Sequence, residues 1–310
     1  MKKNNVGFIC ILLWVVSIAL GSQAERVIRF AHFTDIHITT DNNAPQGFAQ
    51  ALKYMQSMED KPELLVTGGD HVGDSAAATD EVATKLFTLF KDIIKENCHI
   101  PIKYCIGNHD IWGLNKPESK TTGDEEFWGI KRPIHEFNMP GPYYSFDVKN
   151  WHFIILESVV PENNGYYVKL DDEQYKWLCD DLEKNKDKYC VIFSHPPILS
   201  VAAFFDDTQS EKTGNWFVSS SLMNRDARKL KDLFCKYPNV KLCISGHLHL
   251  LDTVTYNGVT YICDGAVGGA WWSGKYQETN EGFGVFDLYK DGTFKHQYVN
   301  YGWKSPVAKN

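Results

Sequence analysis

The chain has no Cys-x-x-Cys pair, no run of lysine and arginine, no internal repeat and no low-complexity tract. The first absence leaves no thiol redox motif and no zinc ribbon of that spacing. The second argues against a nucleic-acid polymer as partner, because such affinity comes from clustered cations, and here 39 acidic residues outnumber 32 basic ones. Long apolar runs are also scarce. The one extended stretch, Val6 to Leu20, follows Lys2 and Lys3 and precedes Gly21-Ser22-Gln23-Ala24. A retained membrane anchor needs roughly 20 apolar residues, so this stretch reads as a signal peptide over 1–24, cut before Glu25. The expected product is exported, periplasmic or secreted, with no stable membrane anchor. No linker composition interrupts 25–310, which reads as one domain. Seven cysteines fall in that region, an odd number that leaves at least one unpaired. Cys105, Cys190, Cys243 and Cys263 sit in or beside apolar runs and read as buried packing.

What is present is a large apolar fraction, 43% of 310 residues, and a recurring pattern within it. Five short apolar runs, Ile28 to Phe33, Leu64 to Val66, Ile102 to Ile106, Val191 to Phe193 and Leu242 to Ile244, read as buried strands. Each stops at a polar cluster: Asp35-Ile36-His37, Gly69-Asp70, Gly107-Asn108-His109-Asp110, Ser194-His195, and Gly246-His247-Leu248-His249. Helical patterns over Pro45 to Met58 and Thr79 to Lys95 separate the first three, giving β-α-β-α-β and hence parallel neighbours. Gly113 to Pro142 is a turn-rich, aromatic loop, and further strands are predicted near Tyr143 to Asp147 and His152 to Leu156. Leu170 to Leu182 and Asn224 to Cys235 read as helices feeding the strands at Cys190 and Val240. Beyond His249 short alternating strands meet at Asn257-Gly258 and Asp291-Gly292, which are hairpin turns. The second half therefore supplies a second sheet packed on the first.

In an open α/β sheet, ligands gather beyond the carboxyl ends of the strands, so the five clusters should converge. Together they offer Asp35, His37, Asp70, Asn108, His195, His247 and His249 as metal donors. One first-row ion uses about four to six positions, so these donors imply two ions. A carboxylate such as Asp70 can bridge them. Two ions about 3.5–4 Å apart clamp the oxygens of an in-line displacement at phosphorus. The absence of thiolate and the abundance of imidazole favour Mn, Fe or Zn over Cu(I), Ca or Mg.

These blocks, in this order, resemble the calcineurin-like metallophosphoesterase family, whose pattern is D-x-H, GD, GNH[DE], a lone His, then GHxH. The resemblance implies an α/β fold of two packed mixed β-sheets flanked by helices, a four-layer sandwich. It also implies two divalent or trivalent transition-metal ions, one held by Asp35, His37 and His249, the other by Asn108, His195 and His247, with Asp70 between. Hydroxide is the implied nucleophile. His109 would contact substrate rather than metal, as acid or oxyanion partner, and Asp110 would orient it. Gly73 stands where purple acid phosphatases carry tyrosine, and His37 is present where they lack it, which argues against a tyrosinate-iron centre. His71 is left as a substrate contact, a support to the ligands, or a plain turn residue.

Aromatic residues follow several clusters, and Trp112, Trp272, Trp128, Phe204, Phe205, Trp216 and Trp271 are read either as stacking partners for a flat ligand or as core. Glu157 is read either as support to the metal shell or as a capping residue. A dianionic monoester would need an extra cation near the metals, and Lys212, Lys275 and Arg132 lie in loops that could reach the rim, though no pattern in the sequence places them there. The function so implied is metal-dependent hydrolysis of a small soluble phosphoester. A phosphodiesterase on cyclic nucleotides or small lipid-derived diesters is the enzymatic alternative, and a non-catalytic metal-binding scaffold is the alternative of another class.

Overall fold

The computed structural model describes residues 24–205 and 210–307, and the leader expected over 1–24 lies outside them but for Ala24. The strands are β1 (Arg26–Phe33), β2 (Leu64–Thr67), β3 (Ile102–Tyr104), β4 (Tyr144–Val148), β5 (Trp151–Ile155), β6 (Val159–Glu162) and β7 (Gly165–Val168). They continue as β8 (Tyr189–Phe193), β9 (Val240–Ser245), β10 (Asp252–Tyr256), β11 (Val259–Cys263), β12 (Gly282–Tyr289) and β13 (Phe294–Asn300). One sheet has the order β13-β12-β1-β2-β3, the other β10-β11-β9-β8-β5-β4, and β6-β7 form a separate hairpin. The parallel trio β1-β2-β3 and the parallel run β5-β8-β9-β11 carry the polar clusters at their carboxyl ends.

The central strands read as unbroken apolar runs because both of their faces are covered. Between the sheets, Phe30 stacks on Phe286 at 5.0 Å and meets Phe153 and Phe193 edge-on at 5.6 and 5.8 Å. Each fully buried ring of this kind contributes about 1.5–3 kcal/mol. Helices α1 (Ala44–Ser57) and α2 (Asp80–Asn97) cover the outer face of the first sheet through Phe48, Leu52, Phe87 and Phe90. On the second sheet, α3 (Asp172–Lys184) and α4 (Ala227–Phe234) do the same through Leu178, Leu182, Leu230 and Phe234. Asp171 caps α3 by accepting a 2.7 Å bond from the Gln174 amide. The four-layer sandwich read from the sequence is the fold observed.

The last hairpin departs from the reading. Rather than extending the second sheet, β12 returns to pair antiparallel with β1, so that Arg29 lies opposite Asp287 and the first sheet gains two strands. The β6-β7 hairpin was not expected, although Asn163-Asn164-Gly165 between Val159-Val160 and Tyr166-Tyr167 is a turn signal. Every described cysteine is free, and Cys105, Cys190, Cys243 and Cys263 are buried. No helix among the described residues is long and apolar enough to cross a membrane.

Candidate metal centre

The chain turns sharply as it leaves each strand, and those turns aim the donors. Asp35, His37, Asp70, His247 and His249 all have φ between +47° and +72°, the left-handed region. For residues with a side chain, each such conformation costs about 1–3 kcal/mol and persists only where the surroundings over-determine it. Here the backbone does so: Asp35 N–H donates to Gly69 O at 3.1 Å, His37 N–H to Asp70 O at 2.9 Å, and Gly68 N–H to Phe33 O at 2.7 Å. Gly246 must be glycine, because a Cβ there would strike Thr34 Oγ1 and Asp35 Oδ2.

Each carboxylate commits one oxygen to the scaffold and presents the other inward. Asp35 Oδ2 accepts from Thr34 Oγ1 at 2.7 Å and from the His247 amide at 2.8 Å, while Oδ1 is buried without a hydrogen-bond partner. Asp70 Oδ1 accepts from the His109 amide at 2.8 Å, and Oδ2 lies 3.1 Å from His195 Nε2 and 3.7 Å from His37 Nε2. The imidazoles are fixed from behind: His195 Nδ1 to Gly68 O at 2.7 Å, His249 Nδ1 to Gly269 O at 2.7 Å, and His247 Nε2 to Ser221 O at 2.9 Å. Such outer bonds set which ring nitrogen is left to ligate. His37 Nε2 and His249 Nε2 face each other at 3.0 Å, and His195 Nε2 is 3.2 Å from Asn108 Oδ1. Asp35, His37 and His249 form one group of converging donors, and Asp70, His195 and His247 another. All seven donors expected from the sequence are thus brought together.

This arrangement fits a pair of cations. Two buried carboxylates stand side by side, and the cationic partners they have are histidines. Burial drives the His37 imidazole down to about 3 and the His247 imidazole down to about 4, which leaves neutral rings able to ligate. His195 is pulled up to about 9, because Asp70 and Asp35 outweigh the burial that opposes its charge. Both carboxyls are held below their ordinary range against burial, Asp35 by His249 and His195, Asp70 by His195 and His109. The site demands positive charge.

His109 packs 5.0 Å from the His37 ring and converges with His37 and Asp70 in a third donor group, but it is the more open ring. Its side chain is 29% exposed, against 0% for His37 and His195, and it faces a cavity of about 220 Å³ beside the donors. Asp70 and Asp74 overcome burial and hold it up at about 9, with Asp74 Oδ1 3.6 Å from His109 Nδ1. Asp110 does not orient it, contrary to the sequence reading. Its Oδ2 accepts from the Asp70 amide, the Gly107 amide and His71 Nδ1, each at 2.9 Å, and its Oδ1 from the His71 amide at 2.8 Å. Asp110 therefore ties two of the metal-bearing turns together. The carboxylate that faces the His109 ring nitrogen is Asp74, at ion-pair rather than hydrogen-bond distance, which the sequence reading missed; an aspartate four residues beyond Asp70 in a Gly-Asp-Ser turn was the available signal.

The substrate contacts also need correction. His71 is fully buried, spans Asp110 and Thr67 Oγ1, and packs on Phe90, Tyr104 and Phe137, so it supports the ligands and touches no substrate. Trp112 is buried with its indole N–H on Ala78 O at 2.9 Å, and Trp272 is buried with its indole N–H on Ile36 O at 2.8 Å. Both are core. The neighbour of Trp272, Trp271, lines the cavity instead, with Tyr166, Tyr276 and Leu222. Glu157 lies outside the donor groups, accepts from the Val159 amide, and is pushed up to about 8 by burial.

Fold and site together define a two-ion phosphoesterase architecture. The profile of the calcineurin-like phosphoesterase family matches residues 28–251, and the chain belongs to that family. It is 27% identical over 227 residues to the human (Homo sapiens) serine/threonine-protein phosphatase CPPED1, a match covering 71% of this chain and 63% of that protein's length. It is 25% identical over 244 residues to the 3',5'-cyclic adenosine monophosphate phosphodiesterase CpdA of Haemophilus influenzae, covering 76% of this chain and 75% of the other. A dimetal phosphatase from Danio rerio shares the fold with a TM-score of 0.61 at 13% identity, over 90% of this chain and all of that one.

Proposed function

We propose that this chain is an exported, metal-dependent hydrolase of small phosphodiesters, with one catalytic domain over 25–310. Asp35, His37 and His249 would hold one transition-metal ion and Asn108, His195 and His247 the second, with Asp70 facing both. When bound, the two ions supply a Lewis-acid clamp on the phosphoryl oxygens and a water of lowered pKa. His109, kept cationic by Asp70 and Asp74, faces the cavity into which the leaving oxygen emerges, and donates its proton there. The relatives' names include both a phosphatase and a phosphodiesterase, so the choice rests on this chain's own cavity.

The observation that carries the diester reading is the charge of the cavity wall. Among the described residues, neither lysine nor arginine lines it. Arg132 is spent on Asp80 at 2.6 Å and Glu136 at 2.8 Å, and Lys212 and Lys275 are not at the cavity. Beside the two ions, His109 is the cation that the cavity wall offers to a diester's single charge; a monoester dianion would lack the further cation that its second charge calls for. Hydrolysis of bis(p-nitrophenyl) phosphate and p-nitrophenyl phosphate by metal-loaded protein, with and without chelator, tests this. The expected result is chelator-sensitive cleavage with kcat/KM for the diester at least about tenfold the higher, the worth of one unoffset charge contact. A monoester preference overturns the diester assignment, and no cleavage of either by loaded protein supports the scaffold reading.

A further inference from the structure

The segment that follows β11 is strained at consecutive positions. Trp271 has φ +48° and Trp272 φ +67°, a conformation that residues with side chains rarely adopt. Trp272 is the anchor: besides its bond to Ile36 O, its amide donates to Gly268 O at 2.6 Å and its carbonyl accepts from Ser305 Oγ at 2.6 Å. Held by that anchor, Trp271 turns outward, 43% exposed, and its carbonyl accepts from Asn42 Nδ2. Its ring lies 4.6 Å from the His249 ring and 5.4 Å from the His37 ring, tilted by 39° and 43°. Tyr276 meets Trp271 nearly at right angles, 6.1 Å away, and both rings line the cavity. Core packing does not explain an exposed tryptophan held in a costly conformation against two donor imidazoles. An aromatic wall that begins at the ligand shell explains it, since such a face is indifferent to ring identity but selective for flatness.

We infer that Trp271, with Tyr276 at its edge, is a stacking subsite for a planar ring, aryl or nucleobase, carried by the phosphate ester. The inference rests on the phosphodiesterase reading above and adds the class of substituent. His37, Asp70, His247 and His249 line the same cavity as Trp271 and Tyr276, so a phosphoryl group at the donors brings its substituent toward those two rings. Calorimetric titration of the metal-loaded protein with methylphosphonate, cyclohexylphosphonate and phenylphosphonate tests it without turnover. Phenylphosphonate is expected to bind about tenfold tighter than methylphosphonate and clearly tighter than cyclohexylphosphonate. In Trp271→Ala the phenyl-to-methyl ratio should fall toward one, and in Trp271→Phe it should largely survive. Adenosine 5'-phosphate, titrated beside them, shares the loss in Trp271→Ala where the ring is reached across a sugar; loss for phenylphosphonate alone assigns a ring bonded directly to the phosphate. Equal binding of phenyl- and cyclohexylphosphonate by the unmodified protein overturns the subsite and leaves the diester reading standing. Failure of all the phosphonates to bind loaded protein overturns the subsite, and the diester reading then stands or falls on the bis(p-nitrophenyl) phosphate assay alone.

Discussion

Replacing Asp110 with asparagine separates two roles that one carboxylate can play in this motif. The side chain keeps its shape and loses one acceptor oxygen. With the amide nitrogen at the Oδ2 position, it faces the amides of Asp70 and Gly107 and the His71 ring; at the Oδ1 position, it faces the His71 amide and, at 3.4 Å, the Val72 amide. The second orientation costs less, and still leaves a buried donor opposed by a donor. A lost hydrogen bond to a charged acceptor is worth about 1.5–3 kcal/mol, and a buried unsatisfied donor adds about 1–3 kcal/mol. Asp110→Asn should therefore cost about 2.5–6 kcal/mol, a large part of the 5–15 kcal/mol typical of a folded domain. Because the Asp70 turn hangs on this carboxylate, metal affinity should fall as well, by about 10–100-fold. Urea unfolding, metal affinity and kcat at saturating metal are the assays. The reasoning is refuted if stability and metal affinity are nearly unchanged while kcat collapses, for then Asp110 acts through His109 after all.

Three other outcomes follow from particular contacts. Asp74→Asn should lower kcat by about 10–100-fold with metal content unchanged, because it removes the carboxylate facing His109 Nδ1 and no donor; parallel loss of metal would show that Asp74 supports the donors instead. Gly246→Ala should cost about 1–3 kcal/mol by overpacking against Thr34 and Asp35, seen as a lower unfolding midpoint, and should weaken metal binding. His152 sits between Asp147 and Asp181 at 2.7 Å each, and they raise its pKa although burial opposes them. Its contribution to stability is complete below its unfolded-state value near 6.5 and is lost as pH rises through the raised folded value. The stability gap between the parent and His152→Gln should accordingly shrink from pH 5.5 to pH 9, and a gap that widens would contradict the assignment.

The seven donors were legible because each sits directly after a short apolar run, and strand ends fix position closely. The layers were legible for a related reason: β-branched and aromatic runs separated by amphipathic helices leave few alternatives. Turn conformation was not legible. Trp271 and Trp272 are identical in sequence terms, and only their left-handed backbone decides that one is buried under Ile36 while the other faces the cavity. The same limit explains Asp74 and Asp110, both carboxylates near the site, whose partners are set by how two turns pack. The return of β12 to β1 escaped because pairing between the first and last strands leaves no local signal. His32 and His296 share Asp264 at 2.7 and 2.8 Å, outside the donor groups.

Metal content tests the central claim most directly. Protein reconstituted with excess manganese or zinc and then desalted is expected to retain about two ions per chain, and Asp70→Asn to lose most of both, since one carboxylate oxygen faces both donor groups. A single retained ion, or two ions that survive in Asp70→Asn, would contradict it.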